Sequence, residues 1–314
     1  MIVFTDSIEH AELVMTGNRA WRRSVPSGLA TAGLQRLWEA TYGTRAIRQS
    51  KLEAARRWSY LFLVESAAVS HYDLLIDLSR QGDGLPDGLI CLAGSGEGFH
   101  GFKGRAWSAP KGNLYVAVHL TPQRRLEHSS TCFTVLAAVS VLDAIDRVPG
   151  LDCAAGIKWV NDILISGAKV GGVLAYTQSE SEVITDVVLG IGLNVETTPP
   201  VTPTPFVPRV GALREAAPDP GECQLPRVFQ TLVQTMSDNY EELLEGRYAG
   251  LLDRYRRRSL VVGREITLCS EKSRSARDIL AVGRVQSLSD DLELVLDGYD
   301  RPFSRGRLVL DREY

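Results

Sequence analysis

The sequence predicts an α+β protein: short buried strands interleaved with helices over most of the chain, then a small β module. Three observations carry this. Apolar, β-prone runs recur at 60–64, 89–93, 113–120, 163–165, 170–174 and 183–195. Apolar residues at helical spacing mark 72–78, 133–145 and 228–255. From 265 to 310 the pattern contains only short strand-like pieces bounded by charged or glycine turns.

Residues 1–58 read as a helical extension. Leu34, Leu37, Trp38, Tyr42, Ile47 and Leu52 fall at roughly helical spacing within 29–55, with Gly43-Thr44 as a break. No recognition-helix pattern is present, and Arg22-Arg23 reads as a solvated face rather than a DNA contact. From Trp58 the pattern changes: Tyr60–Val64 is a buried strand and Tyr72–Leu78 the start of a helix. Ser66 and Ser70 lie between them, and serine there commonly caps a helix. Leu85–Gly88 is a turn before the strand 89–93. The stretch from Gly94 to Lys111 is a glycine-rich loop carrying His100, Lys103, Arg105 and Lys111 against a single acid, Glu97. Glycines free the backbone to wrap an anion and the cations offset its charge. It is not a P-loop, because no Gly-Lys-Ser/Thr ending opens a helix.

Lys158 to Leu174 holds two β-prone runs joined by Ser166-Gly167-Ala168, hence a hairpin. It sets Lys158 and Lys169 near Asn161-Asp162, with Gly171-Gly172 marking close approach of a ligand or another backbone. A plain hairpin with solvated lysines is the competing reading. The strand 183–195 ends in Gly190-Ile191-Gly192-Leu193-Asn194-Val195. Eight prolines between Pro199 and Pro226 predict an extended, ordered connection. The helical stretch 228–255 then ends on Arg254, Arg256, Arg257 and Arg258, which suit a helix C-terminus. The tail, with Asp297-Gly298 as a hairpin turn, suits an SH3-like barrel.

At 44% hydrophobic and 23% charged residues, the composition is that of an ordinary globular protein. A formal net charge of −3 gives no global pull toward nucleic acid or anionic membranes, so phosphate chemistry must rest on local clusters. The start lacks a signal-peptide pattern, and the most apolar span, 132–145, is too short to cross a bilayer. Five cysteines without a Cys-x-x-Cys pair argue against disulfides or structural zinc, and are expected as small buried hydrophobes in a reducing cytoplasm.

Three segments together resemble the biotin–protein ligases of the biotin/lipoate ligase family. Lys158-Trp159-Val160-Asn161-Asp162 with Lys169 to Leu174 is similar to the family's Lys-Trp-Pro-Asn-Asp and Lys-x-x-Gly-Ile-Leu, with Val160 in place of proline. Gly101 to Trp107, followed by Gly112 to Tyr115, resembles its ligand loop and next strand. Gly190 to Asn194 matches its Gly-Ile-Gly-x-Asn strand. The order and separations agree from roughly Trp58 to the end of the chain. Two departures stand out. The family's Gly-Arg-Gly-Arg-x-Gly-Arg is Phe99 to Arg105 here, with His100 and Phe102 replacing arginines. The family's Ser-Thr-Asn segment has no full counterpart within Glu65 to Tyr72, so its serine corresponds to Ser66 or to Ser70.

The resemblance implies a class-II-synthetase-like mixed-sheet catalytic domain over 59–258 and an SH3-like barrel over 259–314. A cut before Ser259 is expected to leave the catalytic domain soluble. It also implies ATP, Mg2+ and biotin: a biotin carboxylate attacks the α-phosphate of ATP, and a lysine of a carrier domain then attacks the biotinyl-5′-AMP. Lys169, Arg105 and Asp162 would be catalytic. Ser66, Ser70, His71, His100, Gly101, Phe102, Gly172 and Gly192 would bind the acyl substrate. Lys103, Gly104, Trp107, Lys158, Asn161 and Asn194 would face the nucleotide, with Asp162 acting directly or through Mg2+. Lys158 could instead pair with a neighbouring carboxylate. The partner would be a biotin carboxyl carrier protein, with no membrane or nucleic acid, and a homodimer stays open. A lipoate or other acyl ligase, and a non-catalytic binding relative, are the alternatives.

Overall fold

The computed structural model describes residues 1–17, 19–52, 57–82 and 84–310. Its N-terminal segment corrects the expectation of a helical extension. Ile2–Thr5 forms strand β1, Ile8–Val14 helix α1, Arg22–Ser24 strand β2, Ala32–Tyr42 helix α2 and Ile47–Lys51 strand β3. The helical spacing of Leu34, Leu37, Trp38 and Tyr42 holds, and it ends at Gly43, whose φ of 56° stops the helix. Ile47 instead starts a strand, in which only Ile47 and Ser50 are buried. Ala55, at the end of the expected pattern, lies outside the described residues. Arg22 and Arg23 are exposed on the sheet's edge strand, where charge discourages pairing with another chain.

The remaining elements follow the apolar pattern closely. They are β4 (Tyr60–Val64), α3 (His71–Gln81), β5 (Leu89–Ala93), β6 (Leu114–Leu120), α4 (Cys132–Asp146), β7 (Ala155–Lys158), β8 (Asp162–Ile165), β9 (Ala168–Glu180) and β10 (Val183–Leu193). The proline-rich connection is extended except for a short helix α5 (Leu213–Ala216) and one 3-10 turn at Pro220–Glu222. The single long helix expected over 228–255 is two, α6 (Leu225–Leu244) and α7 (Tyr248–Arg257), because Gly246 sits between them with φ 79°.

Among the described residues, ten strands form one mixed sheet in the order β2-β3-β1-β4-β5-β6-β10-β9-β8-β7. The neighbours β1/β4 and β4/β5 are parallel, and the others run antiparallel. The pairing of Ile2 with Tyr60 makes the N-terminal segment part of this sheet rather than an addition to it. The period-2 pleat explains why the central strands are apolar throughout. Leu61 and Leu63 join the core under α4, α6 and α7, whereas Phe62 and Val64 join the core under α2 and α3. Helix α4, apolar on all sides, is buried along almost its whole length.

Beyond α7, β11 (Glu265–Cys269), β12 (Ile279–Leu288), β13 (Leu294–Leu296) and β14 (Arg307–Leu310) form an antiparallel sheet ordered β13-β12-β11-β14. Gly298, in the expected Asp297-Gly298 turn, has φ 80°. This sheet is not a loose appendage. Ile157 on β7 donates its N–H to Arg258 (2.7 Å) and accepts from Leu260 (2.8 Å), and one apolar core runs through both sheets. No helix among the described residues is long and apolar enough to cross a membrane. Cys91, Cys132, Cys223 and Cys269 are buried as expected; Cys153 is exposed, on a turn after α4 with φ 55°, and departs from that expectation.

Candidate active site

A cavity of about 750 Å3 lies against β6, β9 and β10, under residues 99–107, and reaches from the start of α3 to the small sheet. The β7–β8–β9 hairpins deliver its charged wall. Lys158 stands opposite Asp162 in the β7–β8 register, and Lys169 lies on β9 beyond the β8–β9 turn. Lys169 Nζ donates to Asp162 Oδ1 at 2.6 Å. Lys158 is buried and donates to the Phe206 carbonyl, so its own contact is with backbone and not with a carboxylate. Burial lowers its pKa to about 8, with Lys169, Arg307 and Arg105 adding to the effect and Asp162 opposing it. For Asp162, burial pushes upward, but Lys169, Lys158 and Arg105 outweigh it and hold the carboxyl below its usual range. Among the described residues, the cavity lining carries seven Lys and Arg side chains against two carboxylates, Asp162 and Glu271. That surplus of positive charge favours an anion.

Trp107 forms the floor. Its indole lies on the glycines of β9 and β10: a Cβ on Gly192 would come within 2.6 Å of the ring, and one on Gly172 within 3.4 Å. The Gly190-Ile191-Gly192 pattern thus makes room for two rings, since a Cβ on Gly190 would meet Tyr72 at 2.9 Å. The Trp107 Nε1–H is buried without a partner, and so is Asn194 Oδ1, a donor and an acceptor left for a ligand. Lys169 Nζ sits 5.1 Å from the Trp107 ring centroid. Gly192→Ala is expected to destabilise the fold by about 1–3 kcal/mol, because the methyl must displace the indole. Trp107→Leu in the same chain should recover most of that loss in a double-mutant cycle. A Gly192→Ala melting temperature equal to wild type would sink this account of the glycine.

Residues 99–107 fold as a flap. Trp107 N–H donates to Phe99 O (2.9 Å) and Gly101 N–H to Arg105 O (2.7 Å), with Lys103 (φ 60°) and Gly104 (φ 70°) turning the tip. Arg105 Nε donates to the Phe102 carbonyl at 2.8 Å, and Lys103 and Arg105 both lie over the Phe102 ring. Phe102 is 38% exposed, so its ring covers the cavity from the solvent side. Gly104 shapes this turn and lies outside the lining.

At the opposite end, Ser70 and His71 are buried and line the cavity. Ser70 holds the N-cap position of α3 without a side-chain cap hydrogen bond. Burial lowers the His71 imidazole to about 4, which keeps it a neutral donor and acceptor. Ser66 is exposed and outside the lining, a correction for that residue: it follows β4 on a bend facing solvent. Asn161 lines the cavity, but its amide is committed to the Val173 carbonyl at 2.7 Å. The remaining expected residues, His100, Gly101, Gly172 and Asn194, are all in the lining.

Sequence reading missed the contribution of the small sheet. Arg274, Arg305 and Arg307 reach the same cavity. The Arg307 guanidinium lies 3.6 Å from the Phe206 ring centroid, and its Nε is buried without a partner. A resident metal is not what this donor set resembles, because Asp162 already gives one oxygen to Lys169. The set fits Mg2+ that arrives on phosphate oxygens and needs few protein carboxylates.

Residues 78–194 match the model of the biotin/lipoate A/B protein ligase family. The chain is 33% identical over 133 residues to the bifunctional ligase/repressor BirA of Bacillus subtilis, a stretch covering 42% of this chain and 40% of that protein. It is 26% identical over 257 residues to the biotin–[acetyl-CoA-carboxylase] ligase of Mycobacterium tuberculosis, covering 81% and 89% of the two chains. In fold it is similar to the biotin protein ligase from Aquifex aeolicus in complex with biotin and ATP. That match has a TM-score of 0.61 at 19% identity, over 81% of this chain and 99% of that one.

Proposed function

From the match of residues 78–194 to the biotin/lipoate A/B protein ligase model and the similarity to a biotin–[acetyl-CoA-carboxylase] ligase, we propose that the chain is a member of that family and an ATP-dependent biotin–protein ligase. The observation that carries this reading is the cation cluster of Lys158, Lys169, Arg105 and Arg307 around one carboxylate, in a cavity that continues to the neutral Ser70–His71 end. One end suits phosphates and the other an uncharged acyl head. The named relatives are a biotin–[acetyl-CoA-carboxylase] ligase and a structure holding biotin and ATP, which supports the same assignment here.

In the first step a biotin carboxylate oxygen bonds to the α-phosphorus of ATP and the bond to pyrophosphate breaks. Lys169 neutralises charge on the carboxylate and the transferring phosphoryl, and Asp162 holds that ammonium in place. Arg105, Lys103 and Arg307 offset the remaining phosphate charge, and Trp107 and Asn194 meet the nucleoside. Mg2+ brought with ATP would supply further charge neutralisation, and Asp162 would be the carboxylate of the cation cluster available to it. In the second step a carrier lysine amine attacks the acyl carbon and AMP leaves. No nucleophile of the chain is required; positioning and exclusion of water do the chemistry.

On this reading 59–258 is a class-II-synthetase-like catalytic domain and 259–314 an SH3-like barrel, with 1–58 contributing three strands at one side of the large sheet. The four buried, unpaired cysteines suit a reducing cytoplasm. The charge on Lys158 adds a pH signature. As pH climbs past about 8 the ammonium is lost, so the KM for ATP should rise severalfold between neutral pH and pH ~9. Lys158→Met, which lacks the titrating group, should abolish that rise; a wild-type KM flat across the range counts against a charged Lys158 in the phosphate site.

The whole reading is tested by incubating the protein with ATP, Mg2+ and either biotin or lipoate, then weighing an added biotin carboxyl carrier domain. A mass gain of one biotinyl group is expected with biotin. Gain only with lipoate would move the chain to the other branch of its family, and pyrophosphate release with neither would leave a binding protein.

A further inference from the structure

The flap has a fastening that its ligand contacts do not explain. His100 Nε2 lies 2.8 and 2.9 Å from the two carboxylate oxygens of Asp73, while its Nδ1 lies 3.1 Å from the Gly101 carbonyl. Both ring nitrogens thus face acceptors, which only the doubly protonated imidazolium satisfies, because a neutral ring has a single N–H. Asp73 sits in the first turn of α3, whose Leu75, Ile76 and Leu78 are buried in the core. His100 belongs to the flap, paired there with Ala106. The contact therefore ties a mobile class of element, a hairpin over a cavity mouth, to a rigid one. The base of the flap is anchored by Trp107 on Gly192 and by Phe99 against Tyr115; its tip has a further ion pair of longer geometry, Lys103 to Glu271 in the β11–β12 loop at 3.4 Å.

We propose that Asp73 is a positioning residue. Through His100 it holds the 99–107 flap down on the cavity and slows escape of the acyl-adenylate, a role that rests on the ligase reading above. The cation at position 100 is spent on a protein carboxylate and not on the ligand, so retention depends on the closed flap and on the Phe102 ring as cover. The groups facing His100 are Asp73 and the edge of Tyr72, whose ring centroid is 6.4 Å away. The Gly101 carbonyl and, against partial burial, the Asp73 carboxylate raise the imidazole above its ordinary value. The sign follows: the latch is complete below the ordinary imidazole range and is lost as pH rises through the raised value.

Wild type, Asp73→Asn and Asp73→Glu separate this role from a structural one. In ligand-free protein near pH ~6, trypsin should cut after Lys103 and Arg105 about threefold faster in Asp73→Asn, the scale of one exposed ion pair. Asp73→Glu should cut at the wild-type rate. Raising the pH should bring wild type up to the Asn variant, whose own profile, corrected for trypsin activity, stays flat. The dissociation rate of preformed biotinyl-AMP should change by the same factor, with melting temperatures matched. Equal cleavage and equal release in all three proteins would overturn the latch. Faster cleavage in Asp73→Asn with no adenylate made by any variant would keep the latch and overturn the ligase reading instead.

Discussion

Lys169→Ala should stop biotin-dependent pyrophosphate release, lowering it by at least ~10²-fold, while leaving a folded protein. The lysine lines the cavity, bonded to Asp162 at 2.6 Å and 5.1 Å from the Trp107 ring centroid. Its side chain is 18% exposed, so truncation opens no sealed hole, and Asp162 keeps Lys158 and Arg105 as compensating charges. The expected stability loss is about 1–2 kcal/mol, that of a partly exposed ion pair. Lys169→Arg is informative beside it. It keeps the charge but carries it on a planar fork that cannot follow the phosphoryl oxygen as a compact ammonium does, so it should stay well below wild type. A melting curve close to wild type with no pyrophosphate is the expected pair of results. Release near the wild-type rate from Lys169→Ala would remove the residue from the mechanism.

The hairpin that bears Lys169 was legible because its signal is local: two β-prone runs, a Ser-Gly turn and glycines in the second strand all lie within 158–174. What the glycines serve was not local. Gly192 makes room for Trp107 of the flap, 85 residues earlier, and only the β6–β10 pairing brings them together. The N-terminal strands were hidden for the same reason. β1 finds its parallel partner beyond residue 59, and the intervening helix α2 imposes its period on the window containing Ile47. Type and spacing do not separate Ser70 from Ser66; in the fold Ser70 is buried and Ser66 exposed. Arg307 carries no motif at all. It reads as one more charge on a terminal strand until the two sheets meet.

The meeting of the sheets reverses one expectation. A chain cut before Ser259 should not remain a stable catalytic domain. The cut removes Leu260, which packs on Gly156 closely enough that a Cβ there would lie 2.5 Å from it, and with it the bond from the Leu260 N–H to the Ile157 carbonyl. It also removes the Leu292 carbonyl that accepts from Trp159 Nε1 at 2.6 Å and the Asp290 carbonyl that accepts from Tyr248 at 2.8 Å. Val261, Ile266 and Leu268, fully buried in the shared core, go with it. Each large buried side chain withdrawn from such a core costs about 2–5 kcal/mol, so the melting temperature should fall by roughly 10 °C or more. Catalysis should fall further, because the cavity also loses Glu271, Arg274, Arg305 and Arg307. Arg307→Ala in the full chain separates the two effects. Its fold should stay intact, since the guanidinium's contacts are one Phe206 ring and the Ser273 carbonyl, while the KM for ATP rises by about tenfold. A truncated protein with the full-length melting temperature and pyrophosphate rate would show that the small sheet neither completes the core nor the phosphate site. Full activity in Arg307→Ala together with a crippled truncation would assign the small sheet a scaffolding role alone.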